Sequence, residues 1–223
     1  MSMLKQMKLD PHIHSLYSGD AKNSPIEILK QAKKVGLDCI AISDHNTIKG
    51  SQIAIKESKN LKNIEVISSI EISSTKGHVL GFGVNEHIDK DLSPEETIDK
   101  IHDQGALAII PHPLTRYRHG LFTKVDPKSL KVDAIEVLNA RYIFGYSNAK
   151  SKKIAIKNKF PMIGSSDSHF LKSVGDCYTE VDCENKDDVF KAIKNNKTEV
   201  KGKRTSNQLI AKEFINKKIK RIY

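Results

Sequence analysis

Short apolar segments alternate with amphipathic segments along most of the 223-residue chain. The apolar segments predict strands at Met7–Ile13, Cys39–Ser43, Ile64–Ser73, His78–Gly83, Ala106–Pro111, Ala134–Leu138, Pro161–Ser165 and Tyr178–Val181. Several of them are almost continuously apolar, which is typical of parallel strands that are buried on both faces of a sheet. The pattern therefore favours a largely parallel sheet.

Amphipathic segments between these strands predict helices, and two of them carry clear start and stop signals. Ser24-Pro25-Ile26-Glu27 has the form of a capping box with proline at the first helical position, and Gly36 ends this helix. Ser93-Pro94-Glu95-Glu96 repeats the pattern, with Gly105 at the end. Helical periodicity is also present at Thr47–Ser58, Ser147–Asn158 and Lys186–Asn196. This alternation indicates parallel βαβ units and an α/β fold.

Polar side chains that can bind metal or phosphate lie at the ends of nearly all predicted strands. They are His12, His14, Asp44, His45, Glu71, His112, Asn139, Arg141, Asp167 and His169. An open doubly wound sheet would also fit the alternation of strands and helices. However, side chains so far apart in the sequence can meet only if the strand ends form a ring, and in a (β/α) barrel the reactive groups gather at the carboxyl ends of the strands. The pattern therefore favours a barrel.

Several of these residues have the spacing or the surroundings of metal ligands. His12 and His14 lie two positions apart on a strand and so point to the same side, where both can bind one ion. Glu71 lies between two isoleucines, and a buried carboxylate without a partner is costly, so a cation is expected beside it. His112 stands between two prolines, which fix its backbone.

Each of these signals also has an ordinary interpretation. A lone His-x-His pair is more often a packing coincidence, Asp44 or Asn46 could be the N-cap of the following helix, and a single His78 could belong to the core. Together, however, the six histidines and at least three carboxylates form a mixed set of nitrogen and oxygen ligands. Such a set suits two or three divalent ions (Mn²⁺, Zn²⁺ or Fe²⁺), and the absence of thiolates argues against a structural zinc site.

Charge and composition narrow the class of protein. The chain has 37 Lys and Arg against 27 Asp and Glu, but residues 197–223 alone hold nine of the basic residues and two of the acidic ones. The positive excess is therefore largely a property of this tail. No apolar run approaches the ~18 residues that span a bilayer, and the start of the chain lacks a secretory signal. With three scattered cysteines, these features predict a soluble cytoplasmic protein with no membrane partner.

The motifs, in their order along the chain, resemble those of the PHP (polymerase and histidinol phosphatase) family of metal-dependent phosphoesterases. The matching stretches are Asp10–Ser15, Ile42–Thr47, Ser69–Ser73, Gly77–Gly81, Ile110–Pro113, Ile135–Asn139 and Gly164–His169. The resemblance implies that residues 1–223 form a single domain with the PHP fold, a distorted (β/α)₇ TIM-like barrel. The metal-site motifs would occupy residues 10–169, and residues 170–223 would be a PHP-associated C-terminal segment with a basic tail.

A trinuclear metal site is also implied by the resemblance. The ligands of the first ion would be His12, His14, Glu71 and Asp167. Glu71 would bridge to a second ion, held by His78 and His112. The third ion would be held by Asp20, His45 and His169. Asp44 is a candidate catalytic residue that would orient a ligand rather than bind metal.

The implied activity is hydrolysis of a phosphate ester by in-line attack of a metal-bound hydroxide. Arg116 and Arg141 are the candidates to grip the phosphoryl oxygens, whereas Arg118 is interpreted as a solvated loop charge. Tyr17 or Tyr142 could stack on a base or simply line the wall. The histidines interpreted as surface residues are His87, His102 and His119.

The expected substrate is a small phosphorylated molecule, a nucleotide or the end of a short nucleic acid. Two alternatives stay open at this point. One is a histidinol-phosphate phosphatase, whose motifs are compatible with this sequence. The other is a non-catalytic RNA-binding barrel like the archaeal ribonuclease P barrel subunit, although a scaffold has no reason to keep nine convergent His, Asp and Glu positions.

Overall fold

The computed structural model describes residues 6–183 and 185–212. Its strands are β1 (Gln6–Ile13), β2 (Cys39–Ile42), β3 (Glu65–Ser73), β4 (His78–Phe82), β5 (Leu107–Ile110), β6 (Ala134–Asn139), β7 (Met162–Ser165), β8 (Cys177–Asp182) and β9 (Thr198–Gly202). Its helices are α1 (Pro25–Lys34), α2 (Lys49–Ser58), α3 (Pro94–Asp103), α4 (Tyr146–Asn158) and α5 (Val189–Lys194). Every predicted strand and helix is present, and β9 is an additional strand within the segment interpreted as a basic tail. Residues 213–223 of that tail lie outside the described residues.

Local capping explains where two of the helices begin. In α1 the Ser24 backbone N–H donates to Glu27 Oε2 at 2.8 Å while Glu27 N–H donates back to Ser24 Oγ, so the predicted capping box is confirmed. The box at Ser93 is confirmed in the same way for α3. By contrast, α2 begins after Ile48 without a side-chain cap, so the N-cap interpretation of Asp44 and Asn46 is wrong.

The nine strands form one sheet in the order β7-β6-β5-β4-β3-β2-β1-β8-β9. The pairs β1–β2, β2–β3, β5–β6 and β6–β7 are parallel, as the apolar pattern predicts. The pairs β3–β4, β4–β5, β1–β8 and β8–β9 are antiparallel, so the prediction of a largely parallel sheet is wrong for half of the strand pairs. Only residues 74–77 connect β3 to β4, and a parallel crossover needs about a dozen residues, so the chain reverses into a hairpin there.

The first and seventh strands approach each other and nearly close this sheet. Ile13 and Ser168 form a parallel bridge, and the backbone N–H of His14 donates to Ser168 O at 2.9 Å. Nearby, the hydroxyl of Thr179 on β8 bonds both the N–H and the C=O of Gly164 on β7, at 2.9 and 2.8 Å. Strands β1–β7 therefore form a distorted seven-stranded barrel, which confirms the predicted α/β barrel class, and the β8–β9 hairpin covers its seam.

The barrel interior is apolar at one end and polar at the other. Its apolar half contains Leu9, Ala41, Ile67, Leu80, Ile109 and Ile163, and α5 closes this half with Val189, Ala192 and Ile193. A register shift between Asp10 and Ile13 in β1 lets Leu9 and His12, which lie three positions apart, both face inward. His12 is therefore placed in the polar half. None of the described helices is long and apolar enough to cross a membrane.

Candidate metal centre

The polar end of the barrel opens into a cavity of about 220 Å³. Eight of the nine residues predicted as metal ligands line it, namely His14, Asp20, His45, Glu71, His78, His112, Asp167 and His169. The ninth, His12, is fully buried beneath the cavity, with its Nε2 atom 3.0 Å from Nε2 of His14. The structure therefore brings all nine predicted residues into one cluster.

Glu71 lies at the centre of this cluster, and its two carboxylate oxygens face different histidines. Oε1 is 2.8 Å from His78 Nδ1 and 2.9 Å from His112 Nε2. The Glu71 side chain is only 1% exposed, so these imidazoles replace water as its polar surroundings.

The second oxygen of Glu71 faces three further imidazoles. Oε2 is 3.1 Å from His45 Nδ1, 3.3 Å from His14 Nε2 and 3.4 Å from His12 Nε2. A carboxylate with separate histidine groups around each oxygen has the arrangement needed to bridge two cations.

A further group of ligand atoms lies on the other side of His14. Asp20 Oδ2 is 2.8 Å from His169 Nε2 and 3.8 Å from His45 Nε2, and the rings of His14 and His169 are 4.2 Å apart. Asp167 joins the groups, because its Oδ1 lies 3.6 Å from His14 Nε2 and 3.6 Å from His169 Nδ1.

Four overlapping sets of residues each have ligand atoms within 4.8 Å of one another. The sets are His12, His14 and Glu71; His45, Glu71 and His78; His12, His112 and Asp167; and His14, Asp20, His45 and His169. In His112 the atom that faces the cluster is Nε2, 2.9 Å from Glu71 Oε1. Imidazole and carboxylate donors in this mixture fit Mn²⁺, Fe²⁺ or Zn²⁺.

Burial and neighbouring charges shift the pKa values of the titratable groups in the cluster. Burial lowers the pKa of His45 to about 4, and burial together with the Arg118 charge lowers the pKa of His112 to about 3. Burial alone would raise the pKa of Glu71, but the surrounding imidazoles, above all His78, hold it well below its usual value. Burial opposes the protonation of His12, but the carboxylates of Glu71 and Glu136 outweigh it and raise the pKa of His12 to about 9. Because imidazole binds metal in its neutral form, cation binding by His12 would release a proton.

Glu136 is a buried part of the site that sequence reasoning did not assign. Its Oε1 accepts from His12 Nδ1 at 2.9 Å and from the Ser165 hydroxyl, while Oε2 accepts from the His112 backbone N–H at 2.6 Å and from Asn139 Nδ2 at 2.8 Å. Burial opposes its ionisation, but His12 overcomes this and lowers the pKa of Glu136 to about 2. Glu136 follows Ile135 and precedes Val137, the same acid-between-apolar signal that identified Glu71.

Glu136 also holds an unusual backbone conformation at His112. The φ angle of His112 is +27°, in the left-handed region, although the residue has a side chain and precedes Pro113. The strain of such a residue is of order 1–3 kcal/mol and persists only when neighbours impose it. Besides the bond to Glu136, the His112 carbonyl accepts from the Thr115 hydroxyl at 3.0 Å, so both sides of the residue are held.

The structure exchanges the expected positions of two arginines. Arg118, interpreted from sequence as a solvated charge, lines the cavity, pairs with Asp167 Oδ2 and donates to Asn139 Oδ1 at 3.3 Å. Arg116 lies outside this cavity and lines a neighbouring one. The third arginine, Arg141, lines the main cavity as predicted, with Nη1 3.1 Å from His169 Nε2.

Asp44 occupies a position beside the cluster rather than in the cavity. It is fully buried, and its two oxygens accept from the backbone N–H and the hydroxyl of Ser15, both at 2.6 Å. A Cβ at Gly50 would lie 1.9 Å from Asp44 Oδ2, so the helix α2 must carry glycine at this point. These contacts describe a residue that fixes the chain after His14, and none of them reaches the cavity.

The remaining histidines and tyrosines divide between surface and site. His87 is half-exposed beside Asp89, and His102 bonds Asp133 Oδ2 at 2.8 Å, away from the cavity. His119 is exposed as predicted, but it also lines the cavity and stacks on His78 with ring centroids 5.1 Å apart. Tyr142 is only 1% exposed and lies under the Arg118 guanidinium, so its ring is a wall and not a free stacking face.

Sequence and structure comparisons place the chain among known proteins. A family model described as PHP-associated matches residues 145–198. The uncharacterized protein MJ1587 of Methanocaldococcus jannaschii is 42% identical over 152 residues, which are 64% of this chain and 87% of that protein.

Two solved structures share the fold. A two-domain protein from Bacteroides vulgatus that contains a predicted PHP-like metal-dependent phosphoesterase superposes with a TM-score of 0.75 at 19% identity, over 97% of this chain and 71% of that one. The second is Endonuclease Q in complex with a 27-mer duplex substrate that has an abasic lesion at the active site. It superposes with a TM-score of 0.66 at 18% identity, over 86% of this chain and 57% of that one. From the matched C-terminal segment, the shared fold and the convergence of the motif residues at one end of the barrel, we conclude that the chain belongs to the PHP family.

Proposed function

We propose that this protein is a metal-dependent phosphoesterase that hydrolyses a phosphate ester of a nucleotide or of a nucleic-acid end. The observation that carries this proposal is the surrounding of Glu71, whose two oxygens lie within 3.4 Å of five imidazoles. A buried carboxylate needs no such number of nitrogen ligands for stability, whereas a group of divalent ions does.

The proposed ligand sets are those that the resemblance to the PHP family implies, and each set shares at least two residues with a group of close ligand atoms in the cluster. The first ion would be held by His12, His14, Glu71 and Asp167, the second by Glu71, His78 and His112, and the third by Asp20, His45 and His169. Bound divalent ions supply Lewis-acid stabilisation of phosphoryl oxygens and make water more acidic. The chain itself orients the ligands, because Glu136 fixes the His12 ring through Nδ1 and leaves Nε2 directed at Glu71 and His14.

Two guanidinium groups supply the positive charge at the cavity wall. Arg118 and Arg141 both approach Asp167, and each side chain is 12% exposed. A guanidinium presents parallel N–H donors that match a phosphate better than a lysine does. We assign them to bind the phosphoryl oxygens and to stabilise the charge that these gain in the transition state.

The solved structures support the substrate class in outline. Endonuclease Q, whose fold resembles this one, is in complex with a 27-mer duplex substrate, and the Bacteroides protein contains a predicted PHP-like metal-dependent phosphoesterase. A purely RNA-binding scaffold would not need the nine-residue cluster, and we favour hydrolysis over it for that reason. Histidinol phosphate is the competing small substrate, and a substrate panel separates it from nucleotides.

Removal and return of metal test the proposal directly. Protein stripped with a chelator should not hydrolyse p-nitrophenyl phosphate or bis-p-nitrophenyl phosphate, and Mn²⁺, Zn²⁺ or Fe²⁺ should restore turnover of at least one of them. A panel of 3′-phosphorylated nucleotides, short RNA and DNA, and histidinol phosphate then identifies the substrate. Equal activity with and without chelator, or no activity with any of these ions, would overturn the proposal.

The same ions should stabilise the fold. Clustered imidazoles and carboxylates are present only in the folded chain, so an ion at 100 times its dissociation constant adds about 2.7 kcal/mol to the free energy of unfolding. We expect the melting temperature of chelated protein to rise on addition of Mn²⁺ or Zn²⁺, measured by differential scanning fluorimetry. A Mg²⁺ titration controls for general salt effects, and an unchanged melting temperature with all three candidate ions would contradict the ligand assignment.

Glu136→Gln should weaken metal binding without removing a ligand. The carboxylate accepts hydrogen bonds on both oxygens, and an amide can accept on only one side, so the His12 ring or the His112 N–H loses its partner. Outer partners of this kind are typically worth about 10- to 100-fold in metal affinity or activity.

A matched control uses another carboxylate between the same two strands. Asp133 accepts from Ala108 N–H at 2.9 Å and contacts His102, far from the cluster. Asp133→Asn should change stability while metal affinity, measured by isothermal titration calorimetry, stays at the wild-type value. Equal metal affinity in Glu136→Gln and wild type would show that Glu136 does not position the ligands.

A further inference from the structure

The most exposed aromatic side chains of the described residues lie on two segments beside the cavity, the turn after β5 and the segment that leads into α4. Tyr117 is 60% exposed, and Phe144 and Tyr146 are each 76% exposed. Tyr117 follows β5 and lines the main cavity. Ile143, the neighbour of Phe144, also lines this cavity. Tyr146 lines a second cavity of about 250 Å³ together with Arg116 and Lys150. An exposed aromatic ring is unfavourable in water, and a ligand that covers it stabilises the protein. Three such rings on two neighbouring segments therefore indicate a binding surface.

Charge on the same two segments points to an anionic occupant. Residues 104–125 contain three basic and no acidic residues, and residues 137–166 contain six basic and no acidic residues. Another stretch with a strong basic excess is the tail, residues 197–223, with nine basic and two acidic residues. Arg116 and Lys150 belong to the two segments and line the second cavity, whose lining among the described residues contains no carboxylate, so this cavity carries a local positive potential that attracts phosphates.

Backbone contacts hold the second of these segments in place. The Arg204 guanidinium donates to Tyr142 O at 3.3 Å and also to Ile143 O. Phe144 therefore follows backbone that is tied to the segment after β9, and Tyr146 begins α4. Fixing this backbone lowers the conformational entropy that the segment would lose on binding.

We infer that Tyr117, Phe144 and Tyr146, with Arg116 and Lys150, form a platform that binds the unpaired bases and the phosphates of single-stranded nucleic acid next to the catalytic cavity. Aromatic faces stack on bases of any sequence, and the cations follow the backbone. The inference rests on the proposed phosphoesterase function, and it adds the class of substrate: a single strand whose terminal phosphate enters the cavity while the adjoining bases lie on the platform.

This platform differs from the tyrosines that the sequence suggested. Tyr142 is buried, and Tyr17 is half-buried with Lys49 Nζ 4.9 Å from its ring centroid. Neither lines the second cavity. The proposed stacking residues are instead Tyr117, Phe144 and Tyr146, whose side chains are exposed.

Binding of labelled oligonucleotides tests the platform. Fluorescence anisotropy with one sequence as single-stranded DNA, single-stranded RNA and duplex DNA is measured in chelator, where no cleavage occurs, and is repeated with Mn²⁺. We expect both single strands to bind more tightly than the duplex, and Phe144→Ala and Tyr146→Ala each to weaken single-strand binding about five- to hundredfold. Arg116→Gln and Lys150→Gln should reduce the slope of binding against salt.

Ile156→Ala is the matched control, because Ile156 is 63% exposed but lies near the opposite end of α4 from Tyr146. Single-strand affinity equal in Phe144→Ala, Tyr146→Ala and this control would overturn the platform. Duplex binding as tight as single-strand binding would do so too, as would sedimentation showing a wild-type dimer that Phe144→Ala and Tyr146→Ala both dissociate.

Hydrolysis of p-nitrophenyl esters, which carry no base, separates the two proposals. If wild-type protein hydrolysed these esters but the platform variants bound single strands as tightly as wild type, the platform would be wrong and the phosphoesterase function would stand. If the protein hydrolysed no ester with any ion but bound single strands through the platform residues, the proposed phosphoesterase function would be wrong. Only the nucleic-acid binding would then stand.

Discussion

Glu71→Gln is expected to abolish turnover and to reduce the number of bound ions. Glutamine has the same shape as glutamate but no charge, and only one of its two terminal atoms can bind a cation. The two groups of imidazoles around Glu71 would lose the anion that they share, because both oxygens are needed to contact them. We expect kcat/KM to fall at least about 10³-fold, which corresponds to about 4 kcal/mol of transition-state stabilisation. Metal content by mass spectrometry and p-nitrophenyl ester hydrolysis measure the two effects.

Glu65→Gln is the control for this variant, because Glu65 lies on the same strand and differs only in its surroundings. Its side chain is 52% exposed and pairs with Lys186 at 3.5 Å. Loss of an exposed ion pair costs at most about 1 kcal/mol of stability and touches no ligand. If Glu71→Gln bound as many ions as Glu65→Gln and turned over at the same rate, Glu71 could not be the bridge of the cluster.

Arg118→Ala is expected to lower kcat about 10²- to 10³-fold, the usual effect of removing one preorganised donor to a developing negative charge. The Arg118 guanidinium lies against Asp167 and Asn139 at the cavity wall, where water is largely excluded. Arg118→Lys keeps the charge but not the parallel donors, so we expect it to restore only part of the rate. Steady-state kinetics with a monoester gives kcat and KM separately.

Two measurements keep this prediction specific. Lys124→Ala removes an exposed positive charge from the same loop and should leave kcat within about twofold, because exposed charges are screened by solvent. Metal content must stay constant in Arg118→Ala, since Asp167 is a proposed ligand. A wild-type kcat in Arg118→Ala would assign the phosphoryl contacts to Arg141 instead.

Much of the cluster could be predicted because its signals are local. His12 and His14 owe their common direction to strand geometry, and Glu71 could be identified from its apolar neighbours. Their convergence follows from the closed barrel, which places the carboxyl ends of its parallel strands on one rim. His78 reaches the same rim because it begins the antiparallel strand β4. The same logic could have found Glu136, since its neighbours Ile135 and Val137 repeat the signal of Glu71.

The arginines could not be predicted in this way, because three residues in a short 3₁₀ turn decide their directions. The turn Arg116–Arg118 ends at His119, which has a φ of +53°, and this local twist directs Arg118 inward and Arg116 outward. No periodicity in the sequence encodes such a turn. The direction of some strands could not be predicted for a related reason. A four-residue connection reverses the chain after β3. Apolar patterning is the same for parallel and antiparallel strands that are buried on both faces, so it does not distinguish them.

The contact between Ile13 and Ser168 has a consequence for biosynthesis. The cluster residues come from positions 12 to 169, and the last of them are brought beside the first by the hydrogen bond from His14 N–H to Ser168 O. A nascent chain on the ribosome thus holds only part of the proposed ligand set until His169 has been translated. We therefore expect the complete set of cations to bind only when the barrel closes, and not while its first strands fold.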